Sequence, residues 1–315
     1  MGSHILDSLH RHKLDTAVLL RKTSDTRFLQ HHLPGTEVRL GSVTDAKSLL
    51  KATSGITHVI HCAGSTKALR SSEFYEINHL GTRNVVEALN AQSTCIGRLL
   101  HISSLAVSGP GTPQNPASEE APPRPVSDYG KSKLAGELEV RERCRVPFTI
   151  IRPPAVYGPR DIGFLSFFKA VGKHLLPRPN KSQTLSLVYA SDLAEAVITC
   201  LCRPETKGKI YFAASSELVT GRRMAEEIAA QMGRWTIPCP IPGPVLWVVC
   251  LLQQILSQLT RRPSLLNLQK YAELRAPGWV CNATKLQREV GFVCETRLKQ
   301  GISETLDWYK RERWL

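Results

Sequence analysis

The sequence predicts an α/β fold in which a doubly wound parallel sheet is followed by a smaller, mostly helical C-terminal region. Over the first half of the chain, short apolar runs alternate with amphipathic runs of ten or more residues, as in βαβ units. From residue 221 onward helical patterns dominate and strand signals are sparse. The 315 residues provide enough material for one large domain or two modest ones.

The elements of the first half follow from the spacing of their apolar residues. Strands are predicted at Ala17–Leu20, Glu37–Leu40, His58–His61, Leu99–Ser103 and Phe148–Arg152. Helices are predicted around Ile5–Leu9, before Leu50, over Glu73–Leu89 and after Tyr129. The proline-rich stretch Gly109–Pro125 is predicted to be a loop between a strand end and a helix start, where open α/β sheets place their ligands.

The second half contains fewer strands. Its predicted elements are a helix at Ile162–Lys173, a strand at Leu185–Tyr189, a helix at Asp192–Leu201 and a strand at Lys209–Phe212. Prolines at positions 238, 240, 242 and 244 predict a break among the later helices.

Val245–Leu259 is strongly apolar and is followed by Arg261 and Arg262. This run is shorter than the ~20 residues that a transmembrane helix needs. Two interpretations stay open. The segment could lie on a membrane, with the two arginines at the lipid headgroups. It could equally be a buried core helix of the C-terminal region.

The chain is basic, with 41 Lys and Arg residues against 27 acidic residues and a formal net charge of +14. Such a balance is found in proteins that bind nucleic acid, anionic membranes or phosphate-bearing ligands. The basic residues are spread along the chain without a nucleic-acid-binding motif, so no nucleic-acid partner is predicted. A solvated basic surface and attraction to a membrane surface remain as explanations.

Nine cysteines are scattered through the sequence without a CxxC pair. This usage predicts free thiols in a reducing compartment and no metal site. No signal peptide is recognisable within residues 1–20. The expected location is the cytoplasm, with membrane association left open.

Tyr129 and Lys133 are the chemical centre of the sequence. Four residues apart on a helix, the phenol and the ammonium share one face. A free tyrosine has a pKa near ~10, and a cation at roughly 4 Å in an effective dielectric of ~20 contributes about 4 kcal/mol, or up to ~3 pK units. The spacing therefore predicts a phenol of lowered pKa that can exchange a proton with a substrate hydroxyl.

Ser104, 25 residues before Tyr129, follows a predicted strand that ends at the ligand crevice. Ser104, Tyr129 and Lys133 together resemble the catalytic triad of the extended short-chain dehydrogenases/reductases, with Ser103 as the alternative serine. Further matches to this family are Val59–Gly64, Asn78–Thr82, Arg152–Pro159, Leu187–Ala194 and Lys285–Phe292. The chain is thus similar to the NAD-dependent epimerase/dehydratase family, and Arg152–Pro159 resembles its 3β-hydroxysteroid dehydrogenase-like branch.

The resemblance implies a Rossmann-type dinucleotide-binding domain over residues 1–160, completed by residues 185–213. Residues 161–184 and 214–315 would then form the substrate-binding region, and the family commonly forms homodimers through the helix that carries Tyr129. The implied cofactor-binding residues are Gly2, Arg21, Lys22, Ser42, Val43, Cys62, Ala63, Gly64, Ile102, Tyr129, Lys133, Pro153 and Val156.

The resemblance also implies an incomplete start. The family opens with a strand and a GxxGxxG turn that receives the pyrophosphate, whereas Gly2–Leu6 resembles only the third glycine and the helix after it. Loss of a central strand would exceed the usual stability margin of ~5–15 kcal/mol. We therefore expect Met1 to be an internal methionine of a longer protein; the alternative is a non-catalytic protein that does not hold its cofactor.

The cofactor and the substrate are predicted less directly. Arg21 and Lys22 stand where an NAD-selective relative carries an acidic residue, which favours NADP over NAD. Ser42 replaces the usual Asp beside the adenine. The predicted function is an NAD(P)-dependent oxidoreductase that interconverts a secondary alcohol and a ketone on a hydrophobic, sterol- or isoprenoid-like molecule. A nucleotide-sugar epimerase or dehydratase is the alternative enzyme.

Overall fold

The structure is a computed structural model that describes residues 1–92, 96–179, 183–261, 264 and 267–315. Its helices are α1 Gly2–Arg11, α2 Ala46–Ala52, α3 Ser71–Tyr75, α4 Gly81–Asn90, α5 Asp128–Arg143, α6 Leu165–Gly172, α7 Ala190–Cys202, α8 Gly221–Met232, α9 Gly243–Thr260, α10 Leu268–Arg275, α11 Thr284–Val290 and α12 Leu298–Arg311. Its strands are β1 Ala17–Leu20, β2 Glu37–Leu40, β3 His58–His61, β4 Arg98–Ile102, β5 Phe148–Arg152, β6 Ala155–Tyr157, β7 Leu175–Pro179, β8 Thr184–Leu185, β9 Leu187–Tyr189, β10 Lys209–Phe212, β11 Val219–Thr220, β12 Ile237–Ile241 and β13 Gly278–Trp279.

The main sheet is parallel and has the strand order β10-β5-β4-β3. Strands β1 and β2 form a separate parallel pair, so within the described ranges no ladder joins β1 to β3. All five residues of β4 are buried, as expected for a central strand of a parallel sheet covered on both faces. The predicted doubly wound α/β fold is confirmed.

Helices cover both faces of the main sheet because apolar side chains on each strand alternate between them. Leu100 and Ile151 belong to the core that contains Ile5 of α1 and much of α7. Their neighbours Leu99 and Ile150 belong to the opposite core, with side chains from α4 and α5. Because β3, β4 and β5 are parallel neighbours, their carboxyl ends lie along one edge of the sheet.

The helix predicted at Glu73–Leu89 begins earlier and is not regular. It consists of α3, a π-helical turn at Glu76–Leu80 and α4 in direct succession. Insertions of this kind occur mostly as single turns and often at functional sites. Asn78 lies in the π turn and is fully buried.

The proline-rich stretch near residue 240 is a strand and not only a break between helices. β12 pairs in parallel with β7 along its five residues. The prolines at 238 and 240 are two residues apart, so their missing N–H groups fall on the same edge. Because β12 and β7 form a two-stranded sheet, one edge of β12 needs no backbone N–H donors and tolerates proline.

Helix α9 is exposed. In the described part of the chain, one helix has the length and composition to cross a membrane, and that helix is α9. Its 18 residues have a mean hydropathy of 1.3, and 6% of this stretch is buried. The interpretation of this segment as a buried core helix is therefore wrong. Arg262, which we placed at the headgroups with Arg261, lies outside the described residues.

Candidate active site

Tyr129 lies in the first turn of α5, at the edge where β4 ends. Ser127 caps this helix by accepting a hydrogen bond from the Gly130 amide at 3.2 Å. A side chain at Gly130 would come within 2.5 Å of the Ala106 carbonyl oxygen, so only glycine allows α5 to lie this close to the turn after β4. The chain thereby brings Tyr129 to the segment that begins with Ser104.

Ser104 is the serine that meets the phenol. Its side chain shares a hydrogen bond with Tyr129 and accepts one from the Ala106 amide at 3.1 Å. Ser103 is 3% exposed, and its hydroxyl has no hydrogen-bond partner among the described residues. The geometry favours Ser104 over Ser103 as the partner of Tyr129.

The pKa of Tyr129 is raised, which is opposite to the direction that the spacing predicts. Burial of the phenol disfavours the phenolate, the hydrogen bond with Ser104 opposes this effect, and the negative charge of Glu273 adds to it. The amine of Lys133 points elsewhere, toward the end of β4. The phenol is therefore protonated at neutral pH.

Lys133 is directed toward the sheet. Its Nζ donates a hydrogen bond of 2.7 Å to the Ile102 carbonyl oxygen at the end of β4, and the residue is 4% exposed. Burial lowers the pKa of Lys133 to about 8, against the raising effects of Glu137 and Cys62. Helical spacing correctly places Tyr129 and Lys133 on one face, but it does not determine where the amine at the end of the long lysine side chain lies.

Asn78 is a site residue that the sequence reasoning did not select. Its side-chain amide donates to the Ser132 hydroxyl and to the Ser65 carbonyl, both at 3.0 Å, and its oxygen accepts from the Ser65 amide at 2.8 Å. These bonds connect the loop after β3 to α5 immediately beside Lys133. The family match at Asn78–Thr82 was the available signal.

The carboxyl end of β3 provides a strip that fits a dinucleotide. Cys62, Ala63 and Gly64 are small and exposed. A side chain at Gly64 would meet Asn78 Oδ1 at 3.1 Å and Lys133 Nζ at 3.8 Å, while one at Gly2 would meet Cys62 Sγ at 3.4 Å. The start of α1, the strip after β3 and the amine of Lys133 are therefore neighbours.

The other predicted cofactor residues lie around the same edge. Arg21 and Lys22 are exposed immediately after β1. Ser42 shares a hydrogen bond of 2.8 Å with Thr44, and the Val43 carbonyl accepts one of 2.8 Å from Asn84. A further group stands at the ends of β4 to β6: Ile102, whose carbonyl is held by Lys133; Pro153, whose carbonyl accepts from the Leu105 amide at 2.8 Å; and half-buried Val156.

Two buried histidines lie next to Lys133. His61 of β3 and His101 of β4 are paired in register, with ring centroids 5.1 Å apart. Burial, with a smaller effect of Lys133, lowers the pKa of His61 to about 3 and that of His101 well below its ordinary value. Both rings are neutral in the folded protein, and both nitrogens of His101 lack a hydrogen-bond partner within the described chain.

We expect this pair to make the fold acid-sensitive. The unfolded chain binds a proton at each histidine below pH ~6.5 while the folded protein does not, so the free energy of unfolding should fall by about 1.4 kcal/mol per pH unit and histidine as pH drops toward 4. Replacing His101 with leucine should reduce the pH dependence of the free energy of unfolding by about 1.4 kcal/mol per pH unit. Urea unfolding between pH 6.5 and 4.5 measures this dependence. The exposed His12→Gln variant is the control; equal slopes for both variants would contradict the assignment.

A group of metal-ligand type lies between α1 and the segment before β2, where no metal site was predicted. Asp7, His31 and His32 place ligand atoms within 4.8 Å of one another. One oxygen of Asp7 contacts His32 Nε2 at 2.8 Å, and the other contacts the Arg160 guanidinium at 2.8 Å. The carboxylate is thus already paired with a permanent cation, which competes with a metal ion.

A cavity of about 350 Å³ lies between α3 and the helices α9 and α10. Phe74 lines it and also meets the Tyr129 ring edge-on, with centroids 6.0 Å apart. On the opposite side Gln269 of α10 donates to the Asp128 carboxylate at 2.8 Å and to the Ser71 hydroxyl at 3.3 Å. Helices α9 and α10 therefore form one wall of the cavity, and Phe74 of the lining contacts Tyr129.

The parallel sheet, the serine–tyrosine pair and the buried lysine define the protein as an extended short-chain dehydrogenase/reductase. The family model described as "NAD dependent epimerase/dehydratase family" matches residues 1–214. The chain belongs to that family, whose members are NAD-dependent enzymes.

Individual relatives are distant but align over nearly the whole chain. The chain is 27% identical to a ceramide reductase of Caulobacter vibrioides, over 100% of this chain and 93% of the relative. It is 25% identical to N-acetyl-alpha-D-glucosaminyl-diphospho-ditrans,octacis-undecaprenol 4-epimerase of Escherichia coli O157:H7, over 94% and 90%. Among solved structures, UDP-glucose 4-epimerase of Thermus thermophilus in complex with NAD superposes with a TM-score of 0.76 at 24% identity, over 98% and 95% of the two chains.

Proposed function

We propose that the protein is an NAD(P)-dependent oxidoreductase that interconverts a ketone and a secondary alcohol on a lipid. The observation that carries the proposal is the protonated Tyr129 phenol, hydrogen-bonded to Ser104 and in ring contact with Phe74 of the cavity lining. The full-length similarity to a ceramide reductase supports both the reaction type and the lipid class.

In ketone reduction, Tyr129 would be the proton donor. A phenol that keeps its proton at neutral pH is a general acid, able to donate that proton to the oxygen of a carbonyl. Ser104 would hold the same oxygen by a hydrogen bond. A bound nicotinamide would supply the hydride to the carbonyl carbon.

Lys133 has a positioning and electrostatic task in this scheme. Its ammonium lies beside the strip that fits the dinucleotide and is fixed by the Ile102 carbonyl. A pKa of about 8 leaves it mostly charged at pH 7. A cation there would hold the ribose of the cofactor by a hydrogen bond.

The cofactor we propose is NADP, with NAD as the alternative. Arg21 and Lys22 lie exposed at the carboxyl end of β1 and offer two cations for a 2′-phosphate. The family model and the NAD complex of the structural relative support a nicotinamide dinucleotide, and both name NAD.

A sugar epimerase is the second candidate. The relative from Escherichia coli is an epimerase whose named substrate joins a sugar diphosphate to undecaprenol, and the alignment covers 94% of this chain. Epimerisation uses the same oxidation of a secondary alcohol but consumes no cofactor overall. Both candidates therefore share the triad and differ in net cofactor turnover.

A substrate comparison separates the two candidates. We expect a long-chain keto lipid of the ceramide type to be reduced with one NADPH oxidised per molecule, followed at 340 nm, and faster than with NADH. Sterol ketones, isoprenoid alcohols and UDP-glucose are the comparison substrates. Conversion of a sugar substrate without net cofactor oxidation would replace the proposal by the epimerase, and absence of both reactions would refute it.

A further inference from the structure

Helix α9 carries a continuous apolar stripe that faces solvent. The stripe repeats at intervals of three and four residues, so its members lie on one side of the helix. Its members are 37–77% exposed: Val245, Val248, Val249, Leu252, Ile255, Leu256 and Leu259. We call this set the α9 stripe.

The side chains on the opposite face of α9 are smaller and more polar than those of the α9 stripe. Cys250 and Ser257 are buried, and Gln254 and Ser257 line the cavity whose Phe74 contacts Tyr129. The usual arrangement, in which the apolar face packs on the core, is reversed. An exposed stripe of this size marks an interaction surface.

The position of α9 relates the stripe to catalysis. Its inner face forms a wall of the cavity, and α10 connects that wall to Asp128, the neighbour of Tyr129, through Gln269. Any surface that bound α9 would therefore lie next to the cavity. Arg70 on the cavity lining and Arg261 after α9 are both exposed cations.

Three observations identify a lipid bilayer as the occupant. Helix α9 contains no charged residue, whereas the chain carries a net charge of +14 that attracts anionic lipids. An 18-residue helix is about 27 Å long, shorter than the ~30 Å hydrocarbon core. Its inner glutamine and serine side chains remain in contact with the protein, so the helix is suited to lie in the interface and not to span it.

We propose that the α9 stripe docks the protein on an anionic phospholipid membrane, with the cavity directly behind the docking helix. The inference rests on the proposed function, because a membrane is where a lipid substrate is held. The substrate would pass from the bilayer into the cavity beneath α9 without crossing water.

Vesicle flotation tests the docking surface without any substrate. Full-length protein should float with vesicles of phosphatidylcholine and phosphatidylglycerol, and less with phosphatidylcholine alone. The Leu252→Glu/Leu256→Glu variant should lose about tenfold or more of the bound fraction. Leu218→Glu/Val293→Glu introduces the same charge at two exposed apolar residues outside α9 and should bind like the wild type.

Three results would overturn the proposal: no flotation of the wild type, unchanged flotation of the α9 variant, or equal losses in both variants. A different outcome would identify a second copy of the chain as the occupant. In that case the wild type forms a dimer and does not bind vesicles, and the α9 variant is a monomer. Circular dichroism and thermal unfolding establish that both variants are folded.

Turnover measured in parallel keeps the two proposals distinct. A short-chain, water-soluble ketone should be reduced equally by the wild type and the α9 variant, while a vesicle-borne ketone should be reduced only by the wild type. Vesicle binding without any turnover contradicts the proposed function but leaves the docking surface in place.

Discussion

Replacing Tyr129 with phenylalanine is expected to lower kcat/KM for ketone reduction by about 10²–10⁴-fold, the range attributed to general acid–base catalysis. The phenylalanine ring keeps the contact with Phe74 but has no proton to give. Steady-state kinetics with NADPH measures the loss, and cofactor binding followed by fluorescence should remain within a few-fold of the wild type.

Tyr75→Phe is the matched control, since it removes a hydroxyl from α3, an element that carries no triad residue. Its activity should be unchanged. Ser104→Ala should lose less than Tyr129→Phe, because the phenol still donates its proton. Normal turnover by Tyr129→Phe would show that another group protonates the carbonyl oxygen, and the proposed chemistry would have to be abandoned.

Replacing Glu137 with glutamine is expected to destabilise the fold by about 3–5 kcal/mol, the cost of leaving one partner of a buried ion pair alone. Arg152 and Glu137 are both 0% exposed and are joined by two hydrogen bonds of 2.9 and 2.6 Å. Arg152 also donates to the Ser108 hydroxyl at 3.1 Å, so the pair fixes α5 to β5 and to the segment after Ser104.

Urea unfolding of Glu137→Gln measures this effect. The control is Glu87→Gln, which breaks the exposed pair with Arg83 and should change stability by about 0.5 kcal/mol or less. The double variant Glu137→Leu/Arg152→Met should be more stable than Glu137→Gln, because it leaves no isolated charge. A loss below about 1 kcal/mol in Glu137→Gln would mean that water reaches the remaining guanidinium.

Much of the fold was predictable because it depends on local patterns. The period of apolar residues placed β1 to β5 within a residue of their observed bounds, and β4 is buried along its whole length although it contains Arg98 and His101. The prolines of β12 and the π turn around Asn78 were not predictable in this way. Both depend on which neighbours supply hydrogen bonds, and those neighbours are distant in sequence.

The sequence by itself determined which chemical groups the site contains and the order in which the elements present them. Four-residue spacing put Tyr129 and Lys133 on one helical face, and the position of Ser104 after a strand put it at the sheet edge. Only the tertiary structure decided the electrostatics, because desolvation and side-chain direction depend on what surrounds each group. Burial raises the pKa of Tyr129, Lys133 turns to the Ile102 carbonyl, and α9 directs its apolar stripe outward.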